Sequence, residues 1–283
     1  DYEISDIVAT VGDLSFSEAQ NALTYAAGTG EELTFLKDVS IADRLYVGVG
    51  SLNKLCVNLN GHTLKLFDIQ VSSGELTLKD SPGGGGKIEF STLAEYPLQN
   101  YGTMLIENVA ISGGNDNIHW LFYNEGNAII RRCTISANVG QEIISNTGQC
   151  DIYDSEITCL NNGFFVFAVN GVTNIYSGKF FAPYGCYVYE GGPINVYGGL
   201  FSFDPSEFVA EGGTVSANTE PETSAKYPYS VYNPNGALGS LSSDSTTPVA
   251  HYTIDGRKVD TPLPGTLIIT MMSDGSVTKS LWK

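Results

Sequence analysis

One pattern constrains this chain more than any other: a glycine followed by apolar residues at fixed offsets, five times over. The copies run over 102–111, 126–135, 148–157, 171–180 and 192–201, and successive glycines lie 24, 22, 23 and 21 residues apart. The fourth residue after each glycine is Ile106, Ile130, Ile152, Ile175 and Val196, and the ninth is Ile111, Ile135, Ile157, Phe180 and Phe201. A third apolar column stands four residues before each glycine, at Leu98, Phe122, Ile144, Phe167 and Val188. Short alternating strands recurring every twenty-odd residues describe one coil of a solenoid, in which each rung buries its inward side chains on the next. The period is too short for a propeller blade, and the Leu/Asn consensus of leucine-rich repeats is absent. A parallel β-helix is therefore expected over residues 31–216, with weaker rungs at 57–64 and 74–78 and a loop bulging at 82–86, where four glycines follow Pro82.

A solenoid leaves raw strand edges at its ends, and these need covers. At the N-terminus (1–30) the stretch 15–27 predicts a helix. Two overlapping capping boxes, Ser15 with Glu18 and Ser17 with Gln20, open it, Gly28 ends it, and Ala19, Ala22, Leu23 and Ala26 share a face. Residues 217–244 are rich in Ser, Thr, Pro and Asn and read as an irregular cover or linker. In 245–283 two Asp-Gly pairs sit between alternating strands, the pattern of a small β-hairpin module.

The charge balance is 14 basic against 31 acidic residues, a net −17. A phosphate backbone needs a basic footprint, so nucleic acid is excluded as a partner. No apolar run approaches the ~20 residues of a helical membrane span. Residues 1–36 hold seven acids and no base, which reads as charge that solubilises and protects an end of the coil. Five cysteines without a CxxC pair or neighbouring histidines predict small buried hydrophobes rather than a disulfide framework or a zinc site. The chain starts at Asp1 rather than Met, which reads as the trace of a removed export signal.

Three segments carry a family resemblance: LTFLKDVSI (33–41), VNLNGHTLKL (57–66) and INVYGGLFSFDPSEFV (194–209). The architecture over 30–215 resembles the right-handed parallel β-helix proteins of the pectate-lyase-like superfamily, and these segments resemble rungs of secreted or surface β-helix proteins of gut Bacteroidetes. The ending YTIDGRKVDTPLPGTLIITMMSDGSVTKSLWK resembles the C-terminal segment that Bacteroidetes attach to exported proteins, with Thr266 and Leu267 where an aromatic approach to the strand is usual. The resemblance implies an all-β, single-stranded, right-handed parallel β-helix in a secreted or cell-surface protein. It transfers no catalytic residue.

Side chains alternate along a strand, so if the fourth position points inward, the third and fifth point out. The fifth positions end in Tyr153, Tyr176 and Tyr197, and the third in Asp151, Asn174 and Asn195. An aromatic row beside a polar strip has the composition of a glycan groove. Stacked tyrosines and asparagine ladders also stabilise neighbouring rungs without any ligand. Glu107 opposite Arg131, and Glu156 opposite Lys179, predict cross-rung ion pairs. For an enzyme, the one dense acidic group on the repeats is Asp151, Asp154 and Glu156. A lyase would hold Ca2+ there and use Arg131, Arg132 or Lys179 as its base, whereas a hydrolase would use two of the carboxyls. Three readings follow. The first is a non-catalytic glycan-binding or adhesin-like protein, expected as a monomer, whose partner is a neutral glycan or a host or cell-surface polymer. The others are a polysaccharide lyase or glycoside hydrolase, and a structural spacer without a ligand.

Overall fold

Because the repeat alternates in and out three times per coil, each coil lays one short strand into each of three long sheets. The computed structural model describes residues 6–50, 52–113, 118–161 and 163–234, together with the backbone of four strands between 248 and 281. The chain divides into two units, Asp1–Ala237 and Leu238–Lys283. In the first unit the parallel strands run from Glu32–Phe35 to Ile194–Val196 in the first sheet. They run from Val39–Ile41 to Gly198–Phe201 in the second, and from Leu45–Val47 to Cys186–Glu190 in the third. The result is a parallel β-solenoid of about seven turns.

The predicted inward columns stack in register. Ile106 pairs with Ile130, then Ile152, Ile175 and Val196, all at most 1% exposed. Ile111, Ile135, Ile157, Phe180 and Phe201 form the matching column of the second sheet. The third column departs from expectation. Leu98, Phe122 and Ile144 are followed by Val166 and Cys186, while Phe167 pairs with Ser145 and points outward. An extra residue in the corner between Ala168 and Val172 causes this: four steps separate them, against three between the equivalent Asn146 and Gln149. Counting back from Gly171 therefore lands on the wrong face, since a slip of one residue reverses a strand's sides.

Two backbone devices hold the coils together at the corner entering the first sheet. A Cβ on Gly126 would collide with the carbonyl oxygen of Gly102, and one on Gly148 with that of Gly126, so the glycines let successive coils touch main chain to main chain. Two residues before them runs a wholly buried amide ladder. Asn100 Nδ2 donates to Asn124 Oδ1 (2.7 Å), Asn124 Nδ2 to Asn146 Oδ1 (2.8 Å), and Asn146 Nδ2 to Thr173 Oγ1 (2.8 Å). Each amide also reaches a main-chain carbonyl of the next coil, so the polar groups of the turn are satisfied without water.

The corner from the first to the second sheet is turned by single left-handed residues, Asn108, Arg132 and Asp154 (φ 56°, 54° and 46°). The glycine loop after Pro82 wraps the buried carboxylate of Asp80, which accepts from the main-chain N–H groups of Gly61, Ser81 and Gly86. Asp68, fully buried, receives a bidentate pair from Arg44 at 2.7 and 2.6 Å.

Both ends are covered. Ala9–Val11 and Leu14–Phe16 add antiparallel strands to the first sheet, and the helix Ala19–Thr29 buries Ala22, Leu23, Ala26 and Ala27. This helix starts later than its capping boxes predict. Ser15 is taken into a strand, Glu18 is the N-cap without a side-chain bond, and Gly30 (φ 74°) rather than Gly28 closes the last turn on Ala26 O. At the other end Tyr229–Tyr232 pairs antiparallel with Gly198–Phe201, and Thr214–Ala217 pairs with it in turn. The segment expected to be irregular thus supplies a strand, whose Val231 is buried. The second unit is a four-stranded antiparallel sheet built of two hairpins, and its Asp-Gly turns lie outside the described residues. No described helix is long and apolar enough to cross a membrane.

Replacing Asn124 with Ala should cost about 2–3 kcal/mol, because Asn100 and Asn146 lose a buried partner together. Asn195→Ala, at the end of a half-buried ladder, should cost under ~1 kcal/mol. Urea midpoints at constant m-value measure both.

Candidate functional site

The outer face of the first sheet carries the predicted rows. Tyr153 and Tyr176 stack with centroids 4.5 Å apart and planes 3° apart, and Tyr176 and Tyr197 at 4.9 Å and 8°. Beside them Asn195 Nδ2 donates to Asn174 Oδ1, and Asn174 Nδ2 to Asp151 Oδ1, both at 2.8 Å. Both faces of the Tyr176 ring are thus covered by tyrosine, and Tyr153 is only 8% exposed. Burial pushes the Tyr153 and Tyr176 phenols above their usual range, so they stay protonated at neutral pH. What this face presents outward is a row of hydroxyl edges and amides rather than free aromatic planes.

The acidic candidates separate onto different surfaces. Asp151 lies on the first-sheet face, Asp154 at the corner and Glu156 on the second sheet. Asp154, Glu156, Arg132 and Lys179 line one depression of about 510 Å³, together with Thr134, Ser155 and Leu200. The two carboxylates and Arg132 are already engaged. Asp154 Oδ1 accepts from Ser177 Oγ at 2.6 Å, and Glu156 Oε1 takes Tyr227 Oη at 3.0 Å and Lys226 Nζ at 3.3 Å. Glu107 is clamped by Arg131 at 2.8 Å and by Arg132. The first predicted ion pair is therefore present. In the second, Lys179 stands in register with Glu156, but Lys226 of the C-terminal cover makes the bridge. Among the described residues no group of three or more His, Cys, Asp or Glu is placed to hold a metal ion. All five cysteines are free thiols. Burial raises Cys133 to about 11 and Cys186 to about 12, so these are packing groups rather than nucleophiles.

The third sheet holds what sequence reasoning missed. Its outer face carries two groups of rings. In one, Trp120 lies 5.4 Å from both Tyr96 and Tyr123, and Tyr123 5.8 Å from Tyr101. In the other, Tyr187 lies 5.7 Å from Phe164 and 5.2 Å from Phe167, with Tyr184 and Tyr189 alongside. Tyr184, Tyr187 and Tyr189 are 58%, 44% and 61% exposed. Five of these contacts are tilted, with interplanar angles of 30–58°, and the two on Phe167 are stacked at 27° and 23°, so the rings do not form a continuous near-parallel stack like the Tyr153 ladder. Between the groups, in the intervening coil, lie the buried Glu142 and Ser145. Burial lifts the Glu142 carboxyl to about 7, against the opposing effects of a Ser145 hydrogen bond and nearby His119. The available signal was the run of Trp120, Phe122 and Tyr123 and the close spacing of Tyr184, Tyr187 and Tyr189. It was hidden by the one-residue slip that turns Phe167 outward.

The geometry defines the class of protein: a capped parallel β-solenoid with a stacked tyrosine row on its first sheet and two groups of rings on its third. No protein-family model, no curated protein and no solved structure matches the chain.

Glu142 makes stability depend on pH. Its folded pKa of about 7 lies above the ordinary carboxylate value, so the folded state holds an extra proton between about pH 4.5 and 7. Stability should fall as pH rises through that window and then level off. Glu142→Gln should remove the dependence and raise the melting temperature at about pH 8, by at most ~3 kcal/mol of stability, with little difference at about pH 4. Thermal melts of the two proteins across pH check the sign.

Proposed function

We propose that this protein is a non-catalytic glycan-binding β-solenoid, secreted or held at a cell surface, and that its ligand lies along the aromatic face of the third sheet. The observation that carries the reading is the set of exposed rings at Tyr184, Tyr187 and Tyr189, gathered on Phe164 and Phe167. Sugar rings present apolar C–H faces that pack on aromatic planes, and tyrosine hydroxyls bond the equatorial oxygens. A flat sheet carrying such rings suits an extended polymer better than a small enclosed ligand. The engaged state of Asp154, Glu156 and Glu107 supports a binding role over catalysis, because each carboxylate already has a fixed partner. The likeness of the chain's ending to export-associated C-terminal segments supports the extracellular placement.

A glycan array followed by affinity electrophoresis tests the proposal. Tyr187→Ala/Tyr189→Ala should weaken binding about tenfold while leaving the fold intact. Tyr153→Ala/Tyr176→Ala should lower the melting temperature and spare binding. Loss of binding in the second pair alone would move the contact to the Tyr153/Tyr176/Tyr197 face with Asn174 and Asn195. An array with no binding sinks the reading altogether.

A further inference from the structure

Charge is distributed unequally among the three sheets. Lys54, Lys79 and Arg131 lie on the first and Lys65, Lys87 and Lys179 on the second, whereas the strands of the third contain neither Lys nor Arg. Several of the bases are spent on neighbours, as in Lys54–Glu75, Lys79–Glu32 and Lys65–Glu89. Arg44, which lies over Tyr46 at the start of the third sheet, is neutralised by Asp68. Glu125 follows the strand Trp120–Asn124 and Glu190 ends Cys186–Glu190, both exposed, while His119 lies 5.6 Å from Trp120 and Glu142 is buried between the two groups. Glu125 accepts from the Tyr123 hydroxyl at 3.4 Å, which holds it at the edge of the rings.

Aromatic planes beside uncompensated carboxylates are the chemistry that recognises organic cations: the ring quadrupole attracts the cation's face and the carboxylate its charge. We infer that the third-sheet face takes a positively charged glycan, a polymer of amino sugars bearing free ammonium groups. This rests on the glycan-binding reading and narrows its ligand. Trp120 and Phe164 lie two coils apart, about 10 Å at the usual strand spacing, which is of the order of a disaccharide length. A chain running along the solenoid therefore meets a ring group at alternate sugars, with the carboxylates within reach of their ammonium substituents. The acidic surroundings concentrate such a polymer and repel polyuronates.

Calorimetric titration of the whole protein with chitosan oligosaccharides, their N-acetylated counterparts and cello-oligosaccharides, at mildly acidic pH and low salt, tests the inference. The free-amine oligomer should bind about tenfold more tightly than the other two, and the gap should close at high salt. Glu125→Gln/Glu190→Gln should erase the preference, so that the free-amine oligomer binds no more tightly than the two neutral ones. Glu211→Gln/Glu222→Gln, which removes the same charge from the C-terminal cover, should leave the preference intact, and its loss there would overturn the inference by showing unspecific attraction. Equal affinity for all three oligomers overturns the inference and leaves the glycan-binding reading standing. Binding of oligolysine without binding of any glycan overturns both.

Discussion

Everything in this molecule depends on each coil lying on the previous one in register, and the tightest lock on that register is at the corner entering the first sheet. There the glycines at 102, 126 and 148 bring main chain against main chain, and the amides of Asn100, Asn124 and Asn146 bridge successive coils from within. The two devices are complementary. Close backbone approach excludes water from the turn, and an amide that is both donor and acceptor replaces it. With the register fixed there, side-chain alternation fixes the faces of all three sheets.

A locked register turns every outward position into a ladder, and the content of a ladder decides whether it serves stability or recognition. Where like or complementary residues repeat, neighbours satisfy one another. Tyr153, Tyr176 and Tyr197 use their ring faces on each other, while the Asn195 amide donates to Asn174 and the Asn174 amide to the Asp151 carboxylate. Where the register instead reads ring, carboxyl, ring, as at Trp120, Glu142 and Phe164, the rings fall into two groups separated by one coil and do not stack into a single ladder. Regular sequence thus marks stabilising ladders, and the irregular third sheet is where surface is left for a ligand.

This explains what was legible in the sequence. The columns through Ile106 and Ile111 could be read because their glycine offset is constant, and constancy is what parallel stacking requires. The tyrosine row was visible for the same reason. Phe167 was misassigned because the extra corner residue before Gly171 breaks the offset without leaving a motif. The helix start was misread because Ser15 satisfies a capping pattern locally while its backbone completes the sheet over Glu32–Phe35. Tertiary pairing outweighs a cap that contributes only about 1 kcal/mol. The inner asparagines did leave a signal, Asn two residues before Gly at 100, 124 and 146. It resembles ordinary turn chemistry, and only the stacked coils reveal it as a ladder.

The net charge of −17 has a similar resolution. Spread evenly, it would predict only solubility and repulsion from polyanions. The fold instead sorts it, because Lys54, Lys65 and Arg131 stand in register with acids of adjacent coils and cancel them, and Lys79 reaches Glu32 two coils away. The strands of the third sheet contain neither Lys nor Arg, so the exposed Glu125 and Glu190 have no basic partner on the strands that carry the rings. A modest acidic excess confined to the face with free aromatic surface has chemical selectivity that the same excess spread over the whole chain would lack.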